Sequence, residues 1–211
     1  MINEEVAIAM VSHIIDEFRN KENIEYIIGF SGSSDESSKE EAERIIEDSM
    51  LYFKNKDIAI LTGGTKFGIV KTANEIAKDY GLKTIGVLPD SGEKYSLPYL
   101  DCKVTVPSDY GRSEFGDESA TFVKALDAME IIGGNAGTAI EFFHAMKINE
   151  RKIKPKYNEQ PIVIAPLKSI EGFGQMAYGI PQARMMPEAF PQEPIMYGGD
   201  AAKFILHKLR C

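Results

Sequence analysis

Three short stretches of this chain combine glycine with hydroxyl side chains, the mixture that an anion-binding backbone needs. They are Ser31, Gly32 and Ser33; Gly63, Gly64 and Thr65; and Gly133, Gly134, Asn135, Gly137 and Thr138. Glycine admits positive φ and lets a ligand approach the backbone, while a following helix offers unpaired N–H groups at the positive end of its dipole. Asn135 suits the same geometry, because asparagine tolerates the left-handed region. The chemistry these turns support is the holding of a phosphate. A single such turn is a weak signal, since strand-to-helix loops carry glycine for steric reasons alone. Two glycine-pair turns and a third rich in hydroxyls shift the reading toward phosphate binding. Neither G-x-x-x-x-G-K-[ST] nor G-x-G-x-x-G occurs in them, so the P-loop and the common dinucleotide fingerprint are absent.

A carboxylate, Glu141, follows the third turn, and two readings of it stay open. Thr138-x-x-Glu141 has capping-box spacing, in which hydroxyl and carboxylate satisfy the free N–H groups of a first helical turn. Alternatively, Glu141 stands at the edge of the cradle as an acid or base. His144 lies one turn beyond and shares that helix face, although a packed or partly exposed side chain is its simpler reading. Lys66, just after the second turn, is in reach of a phosphate, with a solvated surface lysine as the simpler reading. His13 and His207 fall on terminal segments far from the turns. No H-x-x-x-H and no carboxylate cluster points to a metal, so neither a metal site nor a resident cofactor is expected.

The net charge of −8, without any run of five or six like charges, makes a nucleic acid or an anionic membrane a poor partner. A phosphate must therefore be held locally. Only Cys102 and Cys211 are cysteines, which suggests a reducing compartment and a cytoplasmic location. The first twenty residues, MINEEVAIAMVSHIIDEFRN, read as an amphipathic helix from near Asn3 and not as a signal peptide. No apolar run approaches the length of a membrane span.

The elements that must position these turns alternate. Strands are expected at Tyr26 to Phe30, Asp57 to Leu61, Lys83 to Leu88, Lys103 to Val106, Ala128 to Ile132 and Pro161 to Ala165. Helices are expected after Ser38, whose spacing to Glu41 suits a capping box, then up to Gly81, over Glu118 to Leu126, over Thr138 to Asn149, and after Asp200 as a cap. The polar run PSDYGRSEFGD, 107–117, reads as a loop over a site. Lys168 to Gly199, rich in Pro, Gly and Met, reads as an irregular surface connector, with a flexible cover or an oligomer contact as the alternative. At 211 residues the chain suits one domain: an α/β fold with a doubly wound parallel sheet whose ligand sits at the carboxyl ends of strands.

Leu61 to Val70 (LTGGTKFGIV), followed by Thr84 to Pro89 (TIGVLP), resembles the signature of the SLOG superfamily, which includes the LONELY GUY (LOG) proteins. Asp127 to Glu141 (DAMEIIGGNAGTAIE) is similar, without gaps, to that family's D-A-x-I-x-x-[PG]-G-G-x-G-T-x-x-E, and the resemblance runs from Tyr26 to Ala165. It implies a Rossmann-like sheet with flanking helices, a dimer or larger assembly, and a purine nucleotide or related ligand on the glycine turns. Family members cleave the N-glycosidic bond of nucleoside 5′-monophosphates; relatives carry molybdenum cofactor or sense nucleotide-derived signals. The cleaving members pair the motif's final Glu, here Glu141, with an Arg in R-[KN]-x-x-[ML]. That position falls on Glu118, with Ser119 beside it, so the arginine is missing. Arg112, in the polar loop upstream, is the candidate replacement.

The first expectation is thus a binding protein for a nucleotide-like small molecule, the second a nucleoside 5′-monophosphate phosphoribohydrolase using Glu141 and Arg112, and a purely structural module ranks last. Apolar helices near both termini make a homodimer the expected assembly. Light scattering is expected to return the mass of two chains, and the mass of one chain would contradict it.

Overall fold

A computed structural model describes residues 4–33, 39–108 and 111–211, with side chains placed at 13–33, 40–108 and 111–211. In chain order the elements are α1 (Glu4–Lys21), β1 (Tyr26–Gly32), α2 (Lys39–Phe53), β2 (Ile58–Thr62), α3 (Gly68–Asp79), β3 (Lys83–Pro89), a 3-10 turn (Asp90–Tyr95), β4 (Cys102–Val106), α4 (Ser119–Lys124), β5 (Ala128–Ile132), α5 (Ala136–Lys152), β6 (Val163–Pro166), α6 (Phe173–Ala177), α7 (Pro181–Arg184) and α8 (Gly198–Leu209). The strands form one six-stranded sheet in the order β4-β3-β2-β1-β5-β6, and every pairing is parallel. The expected doubly wound α/β architecture is therefore the observed one.

Strands such as IAILT (β2) and AMEII (β5) are buried at every position, because helices cover both faces of the sheet. One face packs Phe122 and Val123 of α4 and Phe142, Ala145 and Met146 of α5 against the strands. The other packs Ile46, Met50 and Phe53 of α2, Ala73 of α3, and Ile205 and Leu209 of α8. Each such large side chain contributes roughly 1.5–3 kcal/mol when fully buried.

Strand order determines where a ligand can sit. From β1 the chain winds outward through β2, β3 and β4, then returns to the other side of β1 with β5 and β6. Connections leaving β1 and β5 diverge, which opens a crevice at their carboxyl ends. β1 also runs two residues further than its apolar run suggests. Ser31 pairs with Ile131 and Gly32 with Ile132, so the first glycine turn begins inside the sheet.

Buried polar side chains fix the frame around this crevice. Asp127 accepts the Ile27 N–H at 2.8 Å and lies 3.2 Å from Arg19, tying α1 to the starts of β1 and β5. Asn149 of α5 exchanges two 2.8 Å bonds with the N–H and carbonyl of Ile162, next to β6. Asn74 of α3 donates to Thr62 Oγ1 at 2.7 Å, and the same oxygen accepts the Gly64 N–H at 3.0 Å.

Two sequence expectations are corrected. Asp200 does not cap the last helix: α8 starts at Gly198 behind Tyr197, and Asp200 pairs with Lys203 at 3.3 Å within the helix. The segment 168–199 is no mere surface connector, since Ile170, Ala177, Ala183, Met186 and Phe190 are buried in the core. Its backbone also joins the sheet, Ile164 N–H donating to Ala189 at 2.7 Å and Lys168 N–H to Ile195 at 2.8 Å. Tyr178 donates to the Pro166 carbonyl at 2.6 Å. The Ser38 cap lies outside the described residues.

β5 carries one group at odds with its surroundings. Glu130, 0% exposed, lies on the face under α2 and α8, with Oε2 2.9 Å from Ser49 Oγ and Oε1 without a partner among the described residues. Burial pushes its carboxyl up to about 8, against the opposing effect of the Ser49 bond. Ser49 also donates to the Ile45 carbonyl at 3.1 Å, and a hydroxyl has one proton. Ser49 therefore shares its one proton between the Glu130 carboxyl and the Ile45 carbonyl.

A carboxyl held above its ordinary value of 4.5 binds its proton more tightly in the fold than in the unfolded chain. Its contribution to stability is whole below 4.5 and is lost as pH rises through about 8. Glu130→Gln is expected to be more stable than the parent at pH 9 by about 1 kcal/mol or more, with the two converging near pH 4.5. Urea denaturation across this range checks it, and parallel pH profiles would contradict it.

Candidate functional site

At the carboxyl ends of β1, β2 and β5 lies a cavity of about 670 Å³. Ser31 and Gly32 from β1, Gly63 and Thr65 after β2, and Gly137 and Thr138 in the first turn of α5 form its polar floor. Phe67, Tyr95, Phe115 and Phe122 form aromatic walls, and two carboxylates, Glu118 and Glu141, complete it. Thus seven of the residues singled out in the sequence, Ser31, Gly32, Gly63, Thr65, Gly137, Thr138 and Glu141, share one cavity.

The glycines divide into two kinds. Gly64 has φ 65°, and a Cβ there would stand 2.9 Å from Gly86 Cα. Gly134 has φ 93°, and its Cβ would meet Thr138 Oγ1 at 2.4 Å. Their carbonyls are occupied as well, Gly64 by the Leu97 N–H at 2.9 Å and Gly134 by the Phe173 N–H at 2.9 Å. Gly133 likewise accepts from Gly174 at 2.8 Å. These residues set the shape of the turns from behind. By contrast, a Cβ on Gly63 would meet nothing nearer than Val70 at 3.8 Å, and one on Gly137 nothing within 4 Å. Both of these line the cavity, so their missing side chains leave bare backbone facing it.

Helix α5 begins at Ala136 behind Asn135, which makes no side-chain cap bond. The N–H groups of Ala136, Gly137 and Thr138 have no acceptor among the described residues. Three donors at the positive end of a helix of 17 residues thus stand at the cavity floor.

This start also removes the capping reading of Glu141. Thr138 is the third helical residue and Glu141 the sixth, too far along to reach the free N–H groups. The Glu141 carboxylate instead accepts the hydroxyl proton of Ser31, joining α5 to β1. Burial pushes Glu141 up to about 7; the Ser31 bond opposes this, and the negative charge of Glu118 adds to it. Glu118, just before α4, accepts the Gly116 N–H through Oε2 at 2.7 Å and is likewise held above the ordinary carboxylate range by burial. The residue standing where the resemblance calls for arginine therefore faces Glu141 as a second acid.

The other candidates lie outside the lining. Arg112 is 91% exposed and 3.5 Å from Glu114. Ser33 turns its carbonyl to the Ile69 N–H at 3.0 Å, and Asn135 is exposed. Lys66 is exposed, 5.8 Å from the Tyr95 ring, and His144 is half-buried, which pushes its imidazole downward. Among the described lining residues none is Lys, Arg or His. Among the described residues no group of three or more His, Cys, Asp or Glu is placed to hold a metal.

Sequence reasoning missed the aromatic walls. Phe67 and Tyr95, with ring centroids 5.4 Å apart, meet because Lys66 N–H donates to the Tyr95 carbonyl at 3.0 Å and Thr65 bridges to Ser96. Only the polar loop 107–117, which carries Phe115, gave any signal.

A profile of the SLOG cluster4 family matches residues 25–172. No curated protein matches by sequence. Among solved structures, the molybdenum cofactor binding protein from the phototrophic bacterium Rippkaea orientalis is similar with a TM-score of 0.61 at 18% identity, over 88% of this chain and 98% of that one. The molybdenum cofactor carrier protein MCP from Chlamydomonas reinhardtii gives 0.60 at 18% identity, over 88% and 99%. The structural-genomics target TM1055 gives 0.57 at 20% identity, over 74% and 81%. These likenesses concern the fold, whereas the profile covers most of the sequence, and the chain accordingly belongs to the SLOG cluster4 family.

Proposed function

We propose that this protein binds a purine nucleotide or a nucleotide-like phosphate ester in the β1–β5 crevice, without cleaving it. One observation carries the reading: the free N–H groups at the start of α5 stand beside the bare backbone of Gly63 and Gly137 in one cavity. In this reading the phosphate rests on Gly137 and Thr138, with Thr65 as hydroxyl donor, and the ring lies among Phe67, Tyr95 and Phe115. The names of the solved neighbours, two of which handle molybdenum cofactor, agree with a protein that holds a small molecule.

A second reading, N-glycosidic cleavage of nucleoside 5′-monophosphates, draws support from Glu141. Held near 7, it is available in both protonation states at neutral pH, and as a carboxylate it would stabilise positive charge developing on the ribose. Cleavage also places negative charge on the departing base. The described lining offers no cation for that charge, and Glu118 would oppose it. Binding is therefore the better supported function.

Incubation with AMP and GMP, followed by chromatography, is expected to yield no free base above the protein-free control. Base release that Glu141→Ala abolishes would overturn the binding reading in favour of the hydrolase. The glycine division supplies an independent check. Gly137→Ala is expected to leave the melting temperature unchanged or raised, since alanine suits a helix better by up to about 1 kcal/mol, yet to weaken nucleotide binding by about tenfold or more. Gly134→Ala is expected to destabilise the fold by about 1–3 kcal/mol, because it forces a side chain into a strained and occupied position. Calorimetry with and without nucleotide measures both, and equal effects of the two variants would contradict the assignment.

A further inference from the structure

The two carboxylates in the cavity are left over from the binding reading. A phosphate has no use for them, because it too carries only acceptors near neutral pH. Each has one oxygen fixed by the protein, Glu118 by the Gly116 N–H and Glu141 by the Ser31 hydroxyl. Glu118 also takes a bond from its own N–H, whereas Glu141 has no further donor among the described residues, and the described lining supplies no cation. Ionised carboxylates accept hydrogen bonds and never donate. The cavity therefore has surplus acceptors beside aromatic walls, and whatever fills it must bring N–H donors on a flat ring.

We infer that Glu118 and Glu141 select a ring with adjacent N–H donors, the 2-amino-4-oxo-pyrimidine edge that guanine and pterins share. This rests on the binding reading above and narrows it to a ligand class. That edge presents a ring N–H and an exocyclic amino group side by side, a pair of parallel donors that a carboxylate accepts together. Adenine instead sets an acceptor nitrogen beside its amino group, and that lone pair would face a carboxylate oxygen. A site built to pair with a substrate's donors rejects an analogue lacking them far more strongly than an apolar pocket rejects a change of shape. The carboxylates thus read the edge of the ring, while Phe67, Tyr95 and Phe115 hold its faces in a way open to any planar base.

The test is titration calorimetry of the intact chain at pH 8 with GMP and AMP, alongside quenching of the intrinsic fluorescence of free pterin. GMP is expected to bind at least about tenfold more tightly than AMP. Glu118→Gln, whose amide offers a donor where the ring needs an acceptor, is expected to weaken GMP by about tenfold while leaving AMP within about threefold. Glu141→Gln repeats the measurement from α5 and guards against a folding defect in either variant. Pterin binding without GMP binding also supports the inference and assigns the edge to a pterin, whereas GMP binding without pterin binding assigns it to a nucleotide. AMP bound as tightly as GMP, or both weakened equally by Glu118→Gln, overturns the inference and leaves the binding reading intact. Failure of GMP, AMP and pterin alike overturns both.

Discussion

The close approach of two backbone turns, Gly133–Gly134 against Gly172–Gly174, sets the geometry of the site. A Cβ on Gly172 would stand 2.8 Å from the Gly133 carbonyl carbon and 2.8 Å from the Gly134 carbonyl oxygen, so only bare backbone fits there. The bonds from Phe173 and Gly174 to the same turn hold its carbonyls back toward the core. Its following amides are then presented forward, at the start of α5. The Pro- and Met-rich segment after β6 is the rear support of the cradle in front of it.

In the proposed reading, this arrangement is what lets an acidic chain offer a place for an anion. No arginine or lysine among the described residues lines the cavity, and the attraction comes from oriented backbone dipoles at the crevice between β1 and β5. Two acids in the same space work against it. Burial raises both carboxyls, with the charge of Asp117 adding to the effect at Glu118 and that of Glu118 adding to it at Glu141. In the reading proposed above, a ligand that supplies donors to the acids removes the conflict.

Much of the frame was legible in the sequence. Short β-branched runs ending in glycine, each followed by an amphipathic stretch, are enough to give a doubly wound parallel sheet, and the family resemblance named the same fold. Ser31, Gly63, Gly137 and Glu141 were legible too, because each stands at a strand end or in a first helical turn. The tertiary parts were not. Thr138 and Glu141 have the spacing of a capping box, but the helix begins three residues earlier than that box requires, and Glu141 finds Ser31 across the sheet. The sequence does not show which glycine of a pair is buttressed and which is open, since the distinction lies in remote neighbours such as Gly86 and Phe173. Aromatic walls drawn from separate loops leave no periodic trace.

The most direct measurement is a titration of the ¹⁵N-labelled protein with GMP, followed through its amide resonances. The account predicts saturable shifts centred on Gly63, Ala136, Gly137 and Thr138, with the Gly137 and Thr138 resonances moving in the direction of new hydrogen bonds to an anion. Shifts confined to another surface, or none at concentrations where binding is seen by calorimetry, would contradict it.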